Sequence, residues 1–396
     1  MIRNRLAPCC AIAFCVGCDL LVHPVTFGTG TGGAPTPMAS SSSSAGGAAT
    51  SSPASSSSSP CGDTSASDEN CGYCGHLCTV GHCKAGDCEP VVIAHGQVAA
   101  GKYHRLFVDP GPQGTVYFAR QSPGALFSVS KQPPSAVTQW VDMTQDGGEL
   151  FDLTADDQGL YFSNYNDSSS APTHARGFYF IGLDGTGLTE CFGSGLWGPS
   201  FVRALGDHKS LVVSTAFDHI VIGSSWINGY YPLTAWVSDP GTLPVNTGLT
   251  GFATDGTWAY YDDPAAGITR VHVGLPKDPP HVLYPDHGTV AASLSGTSLY
   301  WITTTGLMRG TTDGGLATPE SFAAVSELSG VADSPAGTIP HFFYFADAHN
   351  IYRTPGALSV AIQINHIEKT IGAIAVDSAS IYWLELDTGA VLRKSL

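Results

Sequence analysis

A phrase made of an aspartate-led turn, a short apolar strand, a second turn and a further strand recurs along this chain, and it fixes the architecture. Its last copy is Ala373 to Leu396, AIAVDSASIYWLELDTGAVLRKSL. Alternation places Ile374 and Val376 on one face, and Ile381-Tyr382-Trp383 is a run of strand-favouring residues. Asp377-Ser378 and Asp387-Thr388-Gly389 supply the turns. The same order appears at Thr254-Asp255-Gly256, Ala259-Tyr260-Tyr261 and Gly267-Ile268-Thr269-Arg270. It appears again at Ser293-Leu294-Ser295, Leu299-Tyr300-Trp301 and Gly306-Leu307-Met308-Arg309.

Taking the aromatic or apolar centre of each copy as its marker gives Tyr117, Tyr161, Val212, Tyr260, Tyr300, Tyr344 and Tyr382, at intervals of 44, 51, 48, 40, 44 and 38 residues. Three strands per phrase and a fourth in each connector, at this period, predict the blades of a β-propeller. Gly 47 and Pro 26 against 13% charged residues agree, since they mean many turns and little exposed helix. The expected fold is all-β, a seven-bladed propeller. Six blades are the fallback if the third copy is not a blade, because Val212-Val213 replaces its aromatic pair and a long insertion runs through Trp226, Tyr230, Tyr231 and Trp236. The chain stops after the third strand of its last copy, at Val391-Leu392-Arg393, whereas Pro90-Val91-Val92-Ile93-Ala94 precedes the first copy as an orphan strand. It looks like the fourth strand of other copies, such as Pro280-His281-Val282-Leu283. Pairing the orphan with the last blade would close the ring and hide two exposed edges.

An aspartate stands five residues before the marker at Asp156, Asp207, Asp255 and Asp377, with Ser295 in its place in a fifth copy. Each is read as a turn cap and not as part of a cation-binding ring, because the loops lack calcium-loop patterns. Arg270, Arg309, Arg353 and Arg393 also align, and with Tyr300-Trp301 and Tyr382-Trp383 they resemble YWTD-type propeller repeats. That resemblance implies that these residues pack between blades.

Ahead of the repeats the composition changes twice. Met1 to Gly17 carries Arg3 and Arg5, then an apolar stretch from Leu6 to Val16 interrupted by Pro8, the layout of an export signal. It ends in Cys15-Val16-Gly17-Cys18, which resembles the lipobox of bacterial lipoproteins, with Cys15 where that family usually has Leu. The resemblance implies lipid attachment at Cys18; ordinary signal cleavage without lipid is the alternative. The tether that follows favours the lipoprotein. Residues 18–60 form it, and Gly28 to Pro60, with serine runs at Ser40 to Ser44 and Ser55 to Ser59, has too few apolar side chains to offset the entropy of ordering. As a flexible spacer, these 33 residues reach on the order of 30 Å. Asp19 resembles an inner-membrane retention signal of some bacteria, a rule that does not transfer between lineages. The expected location is therefore the cell envelope, on the outer membrane or cell surface, with the leaflet left open.

Residues 61–90 hold Cys61, Cys71, Cys74, Cys78, Cys83 and Cys88 in a segment too short for a core of its own. An even number of cysteines in an exported chain reads as three disulfides. Cys71-x-x-Cys74 with His76 and His82 nearby offers zinc as the alternative, but thiols oxidise outside the cytosol and no second well-spaced pair follows. The run from Asn70 to Cys78, with Cys83 and Gly86-Asp87-Cys88-Glu89-Pro90, resembles a cysteine-rich module of predicted myxobacterial lipoproteins. In that group the module precedes a β-propeller, here residues 91–396. Cys191 is left over and reads as a buried, inert thiol.

The formal charge of −16 repels phosphate backbones, so nucleic acid is not an expected partner. No stretch resembles a 20-residue apolar span, so the expected membrane contact is through the lipid alone. No His-Glu-x-x-His run is present, and Gly223-Ser224-Ser225 lacks the Gly-x-Ser-x-Gly elbow. The histidines His174, His219, His272, His281, His287, His341, His349 and His366 fall in different copies. No cofactor or metal is called for, and no catalytic residue can be named. Two readings follow. The first is a monomeric, surface-tethered binding or scaffold propeller whose partner is an envelope or extracellular protein or a glycan. The second is an envelope hydrolase or lyase with its site at the central channel, where loops from all blades converge.

Overall fold

The structure is a computed structural model. It describes residues 64–72, 77–95, 103–109, 114–121, 124–133, 135–143, 148–156, 158–165, 177–192, 199–204, 210–215, 220–224, 233–236, 252–255, 257–263, 266–272, 279–286, 294–295, 297–303, 306–315, 320–323, 330–333, 342–355 and 361–396. The chain divides into two units, Met1–Ser56 and Ser57–Leu396. The export signal, Cys18 and the tether lie outside the described residues, as do Cys61, Cys74 and Asp207.

Among the described residues there is no helix, and the strands form seven antiparallel four-stranded sheets plus one hairpin, Cys83–Lys84 with Asp87–Cys88. The first sheet is Tyr103–Val108, Thr115–Arg120, Ala125–Ser130 and Thr138–Asp142. The second is Glu149–Ala155, Gly159–Tyr165, Gly177–Gly182 and Thr189–Phe192. The third is Pro199–Ala204, Ser210–Thr215, Ile220–Ser224 and Leu233–Trp236. The degenerate copy on which the six-bladed fallback rests thus forms a complete sheet. The fourth comprises Phe252–Thr254, Trp258–Asp263, Gly267–His272 and His281–Tyr284, and the fifth Leu294–Ser295, Ser298–Thr303, Gly306–Thr311 and Glu320–Ala323. The sixth is Gly330–Asp333, Phe342–Ala346, Asn350–Pro355 and Ile362–His366. The seventh takes Ile371–Val376, Ser380–Glu385 and Val391–Ser395 from the end of the chain and Val91–Ala94 from before the first sheet.

All seven repeat markers fall on the second strand of their sheets, and Tyr117, Tyr161, Tyr260, Tyr300, Tyr344 and Tyr382 are buried there. Burial follows from sheet stacking. Tyr260 and Ile268 of the fourth sheet share a core with Leu299 and Trp301 of the fifth. Tyr300 and Leu307 of the fifth pack with Phe343 and Phe345 of the sixth, where Tyr300 and Phe343 stack with centroids 4.1 Å apart. Ile351 of the sixth meets Trp383 of the seventh, Tyr382 and Leu384 of the seventh meet Phe118 and Phe127 of the first, and Leu126 of the first meets Leu160 and Ile181 of the second. The innermost strands of the second, third and fourth sheets also touch in order. Each sheet packs on the next and the last on the first, which makes a β-propeller. Fully burying one such aromatic or aliphatic side chain contributes about 1.5–3 kcal/mol, so the stacked faces supply most of the drive to form the ring.

The five-residue spacing from aspartate to tyrosine has a direct cause. In the turn after the inner strand, Asp255 Oδ1 accepts the backbone N–H groups of Thr257 and Trp258 at 2.9 and 2.7 Å, and its Oδ2 accepts the Tyr260 hydroxyl at 2.8 Å. Asp156 does the same with Gln158, Gly159 and Tyr161, and Asp377 with Ala379, Ser380 and Tyr382. The aspartate therefore caps the turn and fixes the buried tyrosine by its only polar atom. Burial, followed by Asp377, pushes the Tyr382 hydroxyl up, so it remains a donor through the ordinary pH range. Asp347 and Tyr352 repeat the device in the sixth sheet's other hairpin, a copy outside the aligned repeat positions.

Ring closure joins distant parts of the chain. Val91 lies opposite Arg393, Val92 opposite Leu392 and Ala94 opposite Val391, as strand counting requires. At the seam between the seventh and first sheets, the fully buried Lys131 ammonium donates to Asp377 Oδ2 at 2.7 Å. Arg393 donates from Nε to Ser380 Oγ at 3.0 Å and from Nη1 to the Lys131 carbonyl at 3.4 Å. Arg270 likewise reaches the Thr312 carbonyl of the following sheet at 2.6 Å, so these two aligned arginines do span adjacent sheets. Burial alone would raise the Asp377 pKa, but the hydrogen bond from Lys131 and those from Ala379 and Tyr382 outweigh it and hold the carboxyl below 3.8. A depressed folded pKa contributes stability that is complete above the unfolded value and is lost as pH falls through the folded one. Lys131→Met leaves Asp377 buried without its counter-charge and should cost about 3–5 kcal/mol in chemical denaturation at neutral pH. The gap between wild type and variant should narrow as pH falls through the acid range, because burial without Lys131 pushes the Asp377 carboxyl up and it takes up a proton in the variant first. An unchanged gap across that window would show that the pair is not what the seam depends on.

Candidate functional site

The first strands of several neighbouring sheets lie side by side, so side chains from different repeats meet there. Between the first and second sheets they bring together a charged pair. Arg105 Nε, on Tyr103–Val108, donates to Asp152 Oδ1, on Glu149–Ala155, at 2.6 Å. The Asp152 side chain is fully buried, whereas that of Arg105 is 27% exposed. The second sheet's inner strand slips register between Leu150 and Asp152, and the Asp152 amide then donates to the buried Ser163 Oγ at 3.1 Å. Gln121 Nε2 meets Glu149 Oε2 at 3.4 Å, and the Gln121 carbonyl accepts the Leu150 amide at 3.1 Å. Gly124 lies so close to the Gly148 carbonyl that a Cβ would sit 2.7 Å from that oxygen, which keeps the two segments in register only with glycine.

The chemistry of this cluster is that of an anchored donor. Asp152 neutralises the guanidinium and fixes its plane through Nε, and a carbonyl or carboxylate of a ligand would meet the terminal nitrogens, whose fork suits planar oxygen acceptors. Neither residue stands out in the repeat alignment. The one signal for Asp152 is a carboxylate inside the otherwise apolar run Leu150 to Leu153; charges are almost never fully buried unless paired.

The residues singled out from the sequence are used differently. Cys71 bridges Cys83 and Cys78 bridges Cys88, with Cα atoms 5.4 and 5.5 Å apart. The Cys71, Cys78 and Cys88 sulfurs lie within 4.8 Å of one another, close enough for a metal, but each is already bonded to sulfur and offers no thiolate. Nearby, His82 Nδ1 and Asp68 Oδ2 are 3.0 Å apart at the surface, where the hydrogen bond to Asp68 raises the His82 pKa. His76 lies outside the described residues, and so does the Cys191 side chain.

Four of the scattered histidines are described, and each is engaged locally. His272 and His281 lie edge-on to Trp258, at centroid distances of 4.9 and 5.8 Å, and the Arg270 guanidinium sits 4.3 Å from the centre of the same indole. His349 Nδ1 is 3.3 Å from the Lys369 carbonyl, and His366 Nδ1 is 2.8 Å from Asn350 Oδ1. His174, His219, His287 and His341 lie outside the described residues.

No known protein family matches the sequence, and no curated protein does. Solved structures do match, 914 chains in all, and so wide a set marks a fold and not an activity. The WD40 β-propeller domain of Doa1 is 10% identical, with a TM-score of 0.56 over 78% of this chain and 97% of that one. YCF48 bound to D1 peptide is 11% identical, with a TM-score of 0.54 over 78% of this chain and 94% of that one. The extracellular domain of a putative hybrid two-component system, BT4673 of B. thetaiotaomicron, is 14% identical with a TM-score of 0.55. There the match covers 77% of this chain and 39% of that one. At these identities the likeness establishes the propeller fold.

The pair itself can be tested. Arg105→Leu strands a buried carboxylate and should lower unfolding free energy by about 3 kcal/mol, whereas Arg105→Leu combined with Asp152→Asn should recover at least half of that loss. Additive losses in the double variant would mean that Asp152 is held by its other neighbours.

Proposed function

We propose that this chain is an exported, lipid-anchored propeller of the cell envelope that binds a protein ligand without chemical turnover. The observation that carries the reading is how the repeated carboxylates are used. Asp156, Asp255, Asp347 and Asp377 each cap a turn and hold a tyrosine hydroxyl, so the acids that recur around the ring serve the ring. Arg105 is a fixed, partly exposed donor on an innermost strand, a feature suited to a peptide carbonyl or carboxylate. The peptide-bound propeller among the structural neighbours supports a protein segment as the ligand, and fold analogy alone goes no further. Seven sheets packed in sequence support a seven-bladed ring. The lipobox-like ending at Cys18 and the spacer after it support a tethered location, and the cysteine spacing supports kinship with the myxobacterial lipoproteins.

Two measurements test this. Mass spectrometry of the mature N-terminal peptide should show diacylglyceryl-cysteine at Cys18, and an unmodified N-terminus at any later residue would sink the anchor. Cross-linking of the full-length protein in native envelopes should capture one discrete protein, and Arg105→Lys, which keeps a counter-charge for Asp152 but loses the guanidinium fork, should reduce its yield about tenfold. Capture of glycan in its place, or release of a cleaved product from envelope material, would overturn the reading.

A further inference from the structure

The last strand of the propeller is held from outside the ring. Lys394, whose side chain is 5% exposed, donates from Nζ to Asp87 Oδ2 of the cysteine-rich hairpin at 2.6 Å and to the Ile364 carbonyl of the sixth sheet at 3.1 Å. The next residue is held too. Ser395 Oγ accepts the Val80 amide at 3.1 Å, donates to the Val80 carbonyl at 3.3 Å, and lies 3.0 Å from Thr79 Oγ1. The contact segments 79–80 and 87 are themselves positioned by the disulfides. Cys83 and Cys88 are cross-strand partners in the hairpin, and their bridges run outward to Cys71 and Cys78. Immediately after the hairpin, Val91–Ala94 enters the seventh sheet as its outer strand.

We infer that the cysteine-rich segment is the clasp of the propeller, and that forming its disulfides is the step that fixes Val91–Ala94 and Val391–Ser395 in the closed ring. Among its described residues, the segment's buried cluster consists of four cysteines, Cys71, Cys78, Cys83 and Cys88. Reduced, it keeps no covalent constraint on the turn that carries Val80 or on the hairpin that carries Asp87. Each bridge forms when two thiols lose two electrons and two protons to a disulfide oxidant, which leaves as two thiols. The ring would then become complete only in a compartment where such an oxidant is present. The clasp acts on the seam by geometry, independently of what the propeller binds.

Hydrogen exchange on the full-length protein tests this. A variant with Ser in place of Cys71, Cys78, Cys83 and Cys88 should exchange the amides of Val91–Ala94 and Val391–Ser395 about tenfold faster, while Thr115–Arg120 in the first sheet stays within about twofold of wild type. Unchanged exchange at the seam, or equal acceleration at both places, would overturn the clasp. If that variant yields no folded protein, the oxidised Lys394→Met/Ser395→Ala chain decides. It retains the Cys71–Cys83 and Cys78–Cys88 bridges, and the same two strands should exchange at least about fivefold faster, since a few hydrogen bonds of about 1 kcal/mol each are lost. Wild-type exchange in that variant rejects the inference.

Discussion

Closure of the ring is the constraint on which the rest of this structure depends. A stack of sheets arranged around an axis buries both faces of every sheet only if the last meets the first, and an open stack would leave two apolar faces and two strand edges in water. Here closure is made by a strand about 300 residues away in sequence, as the pairing of Val91 with Arg393 requires. The loop-closure entropy of such a separation grows only logarithmically, so a large buried interface offsets it. At the same seam a lysine and an aspartate are taken out of water together. Each ion loses several kcal/mol of hydration, which their 2.7 Å contact and the neighbouring hydrogen bonds must return. Lys131 also lies 5.7 Å from the centre of the Tyr382 ring, whose hydroxyl is held by the same aspartate. The seam is therefore specific as well as apolar, because a shifted register would strand the ammonium.

Within each sheet the aspartate–tyrosine hairpin supplies a local order that closure can build on. The contact spans five residues, so it can form before distant sheets meet, and it sets the tyrosine ring at the height where the neighbouring sheet packs. One residue type thereby links a turn, a buried side chain and the stacking interface. The buried indole N–H groups of Trp301 and Trp383 show the opposite priority: both lack a partner among the described residues, and packing area outweighs the lost hydrogen bond. The cysteine-rich segment then extends the seam outward through Asp87 and Val80, so it belongs to the mechanics of the ring.

Much of the fold was legible in the sequence because its determinants are periodic or local. Strand residues alternate, turns carry Asp and Gly, and the markers recur every 38 to 51 residues, so the strand count and the orphan at Val91 could be read without coordinates. The aspartate spacing was visible as well, although its physical cause, the tyrosine hydroxyl, was not. Cysteine crowding pointed to disulfides, and compartment logic chose them over zinc; which cysteine meets which was undetermined, since six cysteines allow 15 pairings. The candidate site was the least legible part. Arg105 and Asp152 lie 47 positions apart in copies whose alignment does not match them, and neither sits in a motif.

The sequence by itself determined the unit, its repetition and the need for a closing strand, because hydrophobic alternation and turn chemistry act over a few residues and report themselves wherever they recur. Tertiary structure alone decided the partners that cross from one unit to another. Lys131 with Asp377, Lys394 with Asp87 and Arg105 with Asp152 are separated by 246, 307 and 47 residues. Apart from the apolar setting of Asp152 and the repeat position of Asp377, the local chain does not say which charge each will meet. Folding takes Lys131, Asp377, Lys394 and Asp152 out of water, and the low dielectric around these buried members makes a partner obligatory for each.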